Sequence, residues 1–272
     1  MFGLCFSTMQ DWSLSAFADE IDADIHVQFR NLNDHGIRLL DLRSAFGKNV
    51  MALTDEELKE LSTQAKLAGI SVNCIGSPIN KVTTKEGSSE EELSKLKRAG
   101  EIAGMVGTNR IRIFSPEGDD WSVVEPWMAA QVEYAQKNGL NLLHENDGHY
   151  YGAYPENAKQ LFSVFGCEHF RAAYDFANPI HIGFRAMDHF FPWILPYLET
   201  VHLKDFTDGK VVPAGQGDGQ VRETLLFLKD QGWSGVLSIE PHLQYAGERS
   251  GFTGPESFAI ATNTIKELLG SL

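Results

Sequence analysis

The chain is poor in cysteine and in positive charge, and it has no long apolar run. Its three cysteines, Cys5, Cys74 and Cys167, are odd in number and far apart, so neither a disulfide framework nor a CxxC metal site is present. Cys74 lies in an apolar run and reads as a small core residue. The 23 lysines and arginines face 37 aspartates and glutamates, for a formal net charge of -14 at pH 7. Phosphate backbones need basic surface, so a nucleic-acid partner is not expected, although a small anion in a local pocket is compatible. Nothing approaches the roughly 18 consecutive apolar residues of a membrane span, so no membrane partner is expected. The opening MFGLCFSTMQDWS has no basic flank and reads as structure or a start-site artefact, not a signal peptide. With the few cysteines, this points to a cytoplasmic protein. Glycine-rich GxGxxG and GxxxxGK[ST] loops are also missing, which weakens the nucleotide-binding forms of an open α/β sheet.

Apolar residues make up 43% of the 272 and charged residues 22%, enough for a sizeable core. Short apolar runs alternate with longer amphipathic ones. Strand candidates are 13–17 (SLSAF), 36–43 (GIRLLDLR), 69–76 (GISVNCIG), 108–114 (TNRIRIF), 139–145 (GLNLLHE), 169–175 (HFRAAYD), 198–204 (LETVHLK) and 233–240 (WSGVLSIE). Between them lie helical stretches, with capping boxes expected at Thr54/Glu57 and at Ser89/Glu92, and a helical region around 185–196. Helix, glycine, strand recurs at Gly36, Gly69, Gly139 and Gly232, as left-handed helix ends would have it. Unbroken strand–helix units favour an α/β (β/α)₈ TIM barrel over an open doubly wound sheet. No linker or low-complexity stretch marks a second domain, so 1–272 reads as one domain, with 13–272 as the core and 1–12 as an extension or lead-in. The long loops SPINKVTTKEGSS and PHLQYAGERSGFTGPE would emerge on the catalytic face.

Strand alternation selects the polar residues that matter. In 198–204, Val201 and Leu203 share the face toward the helices, which turns His202 and Lys204 into the barrel mouth. Glu145, Asp175 and Glu240 each come last on the inward face of their strands. Four adjacent strands thus deliver one metal-competent side chain each to one rim. Any one alone reads equally well as a solvated strand-end residue or, for His202, a satisfied buried histidine. Three carboxylates buried together without a cation cost several kcal/mol, which a bound divalent ion removes. Mn²⁺, Mg²⁺, Co²⁺ and Zn²⁺ all suit such a donor set.

The segments LHEN (143–146), AAYD (172–175), VHLKD (201–205), PAGQGDG (213–219) and SIEPH (238–242) resemble the motifs of the xylose-isomerase-like barrel superfamily. Its sugar (phosphate) isomerases and epimerases are the closest group, and DLRSAFGKNV (41–50), CIGSPINK (74–81) and GFTGPE (251–256) are similar to it as well. The resemblance runs from Ser13 onward. It implies one divalent metal held by Glu145, Asp175, His202 and Glu240. It also implies that Glu145 and Glu240 act as acid and base on opposite sides of a polyhydroxy carbonyl substrate, through a metal-stabilised cis-enediolate. Proton return to the same carbon is epimerisation, and to its neighbour isomerisation.

The chain departs from that pattern in two places. Asn178 stands where epimerases often carry a substrate-contacting histidine. The run after Glu145 reads Asn146-Asp147-Gly148-His149, so His149 takes over the usual histidine's place or the pocket differs. No arginine follows His202 closely; Asp208 is nearby instead. Lys204 either holds a substrate hydroxyl or phosphate or pairs with a rim carboxylate. Arg43 is a hydroxyl or anion clamp or else a structural ion pair. Arg112, if buried, needs a partner. Lys81 reaches over the pocket or is solvated. His242 orients Glu240 or lines the pocket, and His144 faces away from the rim. The aromatics of GFRAMDHFFPW (183–193) form a wall over substrate, a subunit contact, or plain packing. The alternatives to an isomerase or epimerase are a dehydratase or lyase of an inosose or sugar acid, a three-zinc nuclease, and a non-catalytic carbohydrate-binding barrel. The acidic balance disfavours the nuclease, and the intact ligand set disfavours the binding barrel. A homodimer or homotetramer is expected from the resemblance.

Overall fold

The computed structural model describes residues 12–243 and 253–272. Of the expected 1–12 lead-in, residues 1–11 fall outside this range, as does most of the loop after the last strand.

Helix ends are set by local chemistry. Thr54 caps α2 (Asp55–Ala68) in a full capping box with Glu57. The apolar residues Leu58, Leu61 and Ala65 recur at helical spacing and are the ones buried. Gly69 then ends α2 at φ 69°, and Gly139 ends α4 (Trp121–Asn138) at φ 64°. Gly36 and Gly232 are also left-handed, but each sits one residue beyond its cap. At α3 (Ser89–Val106) the expected box is displaced. The cap is Ser88, whose side chain accepts from Glu91 N. Glu92 instead turns inward, where Asn80 N donates to it at 2.6 Å.

The barrel strands are β1 (Ser13–Ala16), β2 (Leu39–Leu42), β3 (Ser71–Gly76), β4 (Arg110–Ile113), β5 (Asn141–Glu145), β6 (Phe170–Asp175), β7 (Leu198–Leu203) and β8 (Val236–Ile239). Each pairs in parallel with its neighbours in sequence, and β1 pairs with both β2 and β8, closing the barrel. This is the (β/α)₈ TIM barrel the alternating pattern predicted. Several strands begin two or three residues later than expected, because the residues after each helix-ending glycine lead into the strand without entering the ladder.

The main core lies between strands and helices. Leu142, Tyr174, Val201, Leu203, Leu237 and Ile239 point there, as alternation required. The barrel interior is smaller and more polar. Cys74, Leu143 and Ala173 form an apolar cluster. Asn73 Nδ2 donates to Asp41 Oδ1 at 2.7 Å, and Ser238 Oγ donates to Asp41 Oδ2.

Two features escaped the sequence pattern. Short antiparallel hairpins, Ser44–Ala45 with Lys48–Asn49 and Asp205–Thr207 with Lys210–Val212, follow β2 and β7. The helix expected around 185–196 is broken into a π turn (Ala186–Phe190), one α turn (Phe191–Ile194) and a 3₁₀ turn (Leu195–Tyr197). Pro192 and Pro196 lack the amide hydrogens that a continuous helix needs. Its aromatics are packing residues: Phe190 and Phe191 are buried against Tyr174.

Candidate metal centre

Glu145 and Asp175 end β5 and β6, His202 is the penultimate residue of β7, and Glu240 follows β8 directly. The register sets His202 beside Asp175 on one side and beside Ser238 on the other. One donor atom from each of Glu145, Asp175, His202 and Glu240 lies within 4.8 Å of the others. Donors bound at about 2.1 Å around one ion stand roughly 3–4 Å apart, so the cluster needs little contraction to hold a cation. His202 Nδ1 is 3.4 Å from Glu145 Oε1 and 3.5 Å from Glu240 Oε2.

All four residues are buried, none more than 3% exposed. Burial would raise the Glu145 carboxyl, but the charges of His202 and Arg112 outweigh it and hold Glu145 well below the usual carboxylate range. Glu240 is likewise held down against burial, by Lys204, His242 and Arg43. Both therefore stand ionised. Asp175 goes the other way: burial, helped by the charges of Glu145 and Glu240, pushes it up to about 6 despite Lys204. His202 is raised, its burial overcome by Glu145 first and Glu240 next. Burial first, and the charges of Glu145 and Glu240 next, make the ionised form of Asp175 costly, a cost that a bound cation would offset. Asp175 Oδ2 and His202 Nδ1 are buried without an aligned hydrogen bond and meet charged neighbours instead, Lys204 Nζ at 3.0 Å for the first and Glu145 Oε1 and Glu240 Oε2 at 3.4 and 3.5 Å for the second. The donor types, their spacing and the burial of these two atoms fit a divalent cation.

Arg43, Lys81, His149, Asn178, Lys204 and His242, the residues proposed to meet substrate, all line a cavity of about 660 Å³ above the cluster. Several of them make the ion pairs that had been given as alternatives to a substrate contact. Arg43 is not a free clamp: its three nitrogens contact Asp19 at 2.7 Å, Glu20 at 2.6 Å and Glu240 at 2.7 Å. Lys81 pairs with Asp147 at 2.6 Å across the mouth and lies over the Phe114 ring. Lys204 Nζ is 3.0 Å from Asp175 Oδ2 and 3.5 Å from Glu240 Oε2, the rim salt bridge that had been one of its two options. His242 Nδ1 is 2.7 Å from Glu20 and its Nε2 3.6 Å from Glu240. Asn178 Nδ2 donates to Glu145 Oε1 at 3.3 Å. His149 is exposed at the rim. Arg112 finds the partner its burial requires, Glu145 at 3.1 Å. His144 turns away toward Ser115, as expected.

Glu20, Glu240 and His242 form a second group of close donors. The Arg43 guanidinium already bridges Glu20 and Glu240 and supplies the positive charge there. Sequence reasoning missed Asp19 and Glu20, although both stand just past β1, the strand-end position that marked the other acids. It also missed His181, whose ring lies 3.9 Å from that of Phe206 in the cavity wall. The PAGQGDG motif gains a physical role. Asp205 accepts from the backbone N–H groups of Phe206, Gly215, Gly217 and Gly219 at 2.8–3.0 Å, fixing the hairpin that supplies Phe206, Gly209 and Val211 to the cavity.

Residues 29–257 match the family model of the xylose isomerase-like TIM barrel. No curated protein matches the chain by sequence. Among solved structures, the IOLI protein with a bound zinc atom is similar with a TM-score of 0.76 at 15% identity, covering 95% of this chain and 98% of its own. A D-tagatose 3-epimerase-like protein gives 0.73 at 15% identity over 95% and 97%. The probable 3-DHS dehydratase AsbF, involved in petrobactin synthesis in Bacillus anthracis, gives 0.73 at 13% identity over 94% and 98%. At these identities the likeness is one of fold.

Proposed function

This chain belongs to the xylose isomerase-like TIM-barrel family, and we propose that it is a divalent-metal-dependent isomerase or epimerase of a small polyhydroxy carbonyl compound: a sugar, sugar phosphate or inosose. The observation that carries this is the convergence of Glu145, Asp175, His202 and Glu240 beneath one cavity, with Asp175 Oδ2 and His202 Nδ1 buried among them without an aligned hydrogen bond. These four residues would hold the cation, which when bound acts as a Lewis acid toward a carbonyl oxygen.

The chain's own residues would do the rest. Glu145 and Glu240 rise from β5 and β8, on opposite sides of the site, and are held ionised, so either can accept a proton. One takes the proton from the carbon next to the carbonyl, leaving an enediolate. The glutamate that took the proton, then a carboxylic acid, returns it to that carbon, or to the neighbouring carbon as the hydroxyl proton passes to the other oxygen; delivery to the opposite face requires the other glutamate to have first taken a proton from solvent. Asn178, bonded to Glu145, and His149 at the rim stand where substrate hydroxyls would be met. Phe206, Ile182 and Val211 add an apolar wall to the cavity.

Incubation of the metal-loaded protein with a panel of ketoses and inososes in D₂O tests the proposal. Deuterium entering the carbon next to the carbonyl, with no net loss of water, is expected. Loss of water with a new conjugated chromophore would assign the chain instead to the dehydratase class, the class named for one of the similar folds. Turnover indifferent to a chelator would remove the metal from the mechanism.

A further inference from the structure

Each carboxylate of the cluster has one oxygen gripped from behind and the other turned inward. Asp175 Oδ1 accepts from the backbone N–H groups of Ala177 at 2.9 Å and Asn178 at 2.8 Å, which leaves Oδ2 toward the cluster. Glu145 Oε2 accepts from Arg112 Nη1 at 3.1 Å, while Oε1 faces His202 at 3.4 Å. Glu240 Oε1 accepts from Arg43 Nη1 at 2.7 Å, while Oε2 faces His202 at 3.5 Å. A loop backbone does this work for the aspartate, and an arginine does it for each glutamate.

Both guanidinium groups are anchored independently of the glutamates. Arg112 is 5% exposed, and its Nη2 donates to the carbonyls of Gly76 and Ser77 at 3.2 Å each. Arg43 donates through Nε to Asp19 and through Nη2 to Glu20. Glu20 is itself fixed by Thr253 Oγ1 at 2.6 Å. The Phe17 ring ties the pair together. It packs 5.1 Å from the Arg43 guanidinium carbon and 5.2 Å from that of Arg112, and meets His202 edge-on at 5.2 Å. Arginine suits this position because its rigid planar fork fixes the direction of the bond to each acceptor, whereas a lysine ammonium is a compact, rotatable point charge.

We propose that Arg43 and Arg112 are a matched pair of positioning residues. Each holds the outer oxygen of one glutamate, Arg43 on Glu240 and Arg112 on Glu145, and so presents a single inner oxygen to a divalent cation. Neither arginine is a substrate anchor. The proposal rests on the cluster being a metal site.

The test measures affinity for Zn²⁺ or Mn²⁺ by competition with a chromogenic chelator, on wild type, Arg43→Lys and Arg112→Lys. Arg43→Gln and Arg112→Gln are made alongside, and thermal unfolding checks that each variant is folded. Lysine keeps the charge and favours folding but loses the fork. Partners that orient metal ligands are worth roughly 10- to 100-fold in affinity. Each lysine variant is therefore expected to weaken metal binding by about tenfold and to change the visible spectrum of the Co²⁺-loaded protein. Folded variants with wild-type affinity and spectrum would overturn the pairing, whether KM rises, as for a substrate contact, or only the melting temperature falls, as for a purely structural tie. A wild-type protein that takes up no stoichiometric metal would sink the metal-site reading itself, a failure separable from the first because wild type is measured alone.

Discussion

Substituting Asp205 should loosen the β7 hairpin before it harms the barrel. Oδ1 of Asp205 accepts from Phe206 N and Gly219 N, and Oδ2 from Gly215 N and Gly217 N, at 2.8–3.0 Å. In Asp205→Asn either orientation of the amide sets an NH₂ group against two backbone N–H donors. Two charge-assisted bonds are lost and donor faces donor. Each such bond is worth about 1.5–3 kcal/mol, less where water reaches the loop, so a cost of about 2–4 kcal/mol follows. For a chain of this size that corresponds to roughly 4–7 °C in melting temperature. Asp205→Ala strips all four bonds and should fall at the upper end or beyond it. Gly217→Ala tests the same nest from the other side, since a Cβ there would lie 2.5 Å from Asp205 Oδ1 and 2.8 Å from Phe206 N. Calorimetry reads the stability. Because Phe206, Gly209 and Val211 line the cavity, KM for any substrate found should rise as well. Asp205→Asn melting within about 2 °C of wild type would refute the nest as the hairpin's main tie.

Asn80 should prove equally sensitive. At φ 70° it adopts a left-handed conformation that asparagine tolerates, and its amide bonds Phe114 O, Gln131 and Trp127 Nε1 at 2.7–2.9 Å. Asn80→Ala leaves those buried groups unpaired, and a loss of about 2–4 kcal/mol in denaturant unfolding is expected; under 1 kcal/mol would mean the network reorganises freely. Metal affinity should depend on pH. A cation needs Asp175 ionised and His202 neutral; Asp175 is raised to about 6 and His202 above its ordinary value, so protons compete as pH falls through these values. Chelator competition should show affinity dropping steeply below about pH 6, and a flat profile from pH 8 to 5 would contradict it.

The four-residue cluster was legible in the sequence because β-structure has a strict period of two. Once Val201 and Leu203 face the helices, His202 must face inward, and the acids at the ends of β5, β6 and β8 follow by the same count. Barrel closure was legible because strand and helix signals alternate without interruption. What surrounds the cluster was harder to read. The partners of Arg43 lie 23, 24 and 197 residues away, separations at which one sequence carries no pairing signal. Glu92 looked like a capping residue and proved a buried acceptor for the Asn80 backbone, because Ser88 one residue earlier took the cap. The PAGQGDG run was recognisable as a motif, yet its purpose depends on Asp205 folding back over it. Local rules place single side chains on faces, while the contacts that tune them are made between distant segments.

Glu145, Asp175, His202 and Glu240 should together hold one divalent cation. Titration of metal-free protein with Co²⁺, followed by its visible spectrum and by metal analysis after gel filtration, measures this. Wild type should saturate at about one equivalent, and His202→Ala and Asp175→Asn, melting cooperatively, should retain little or none. Uptake unchanged in both variants, or no uptake by wild type, would contradict the account.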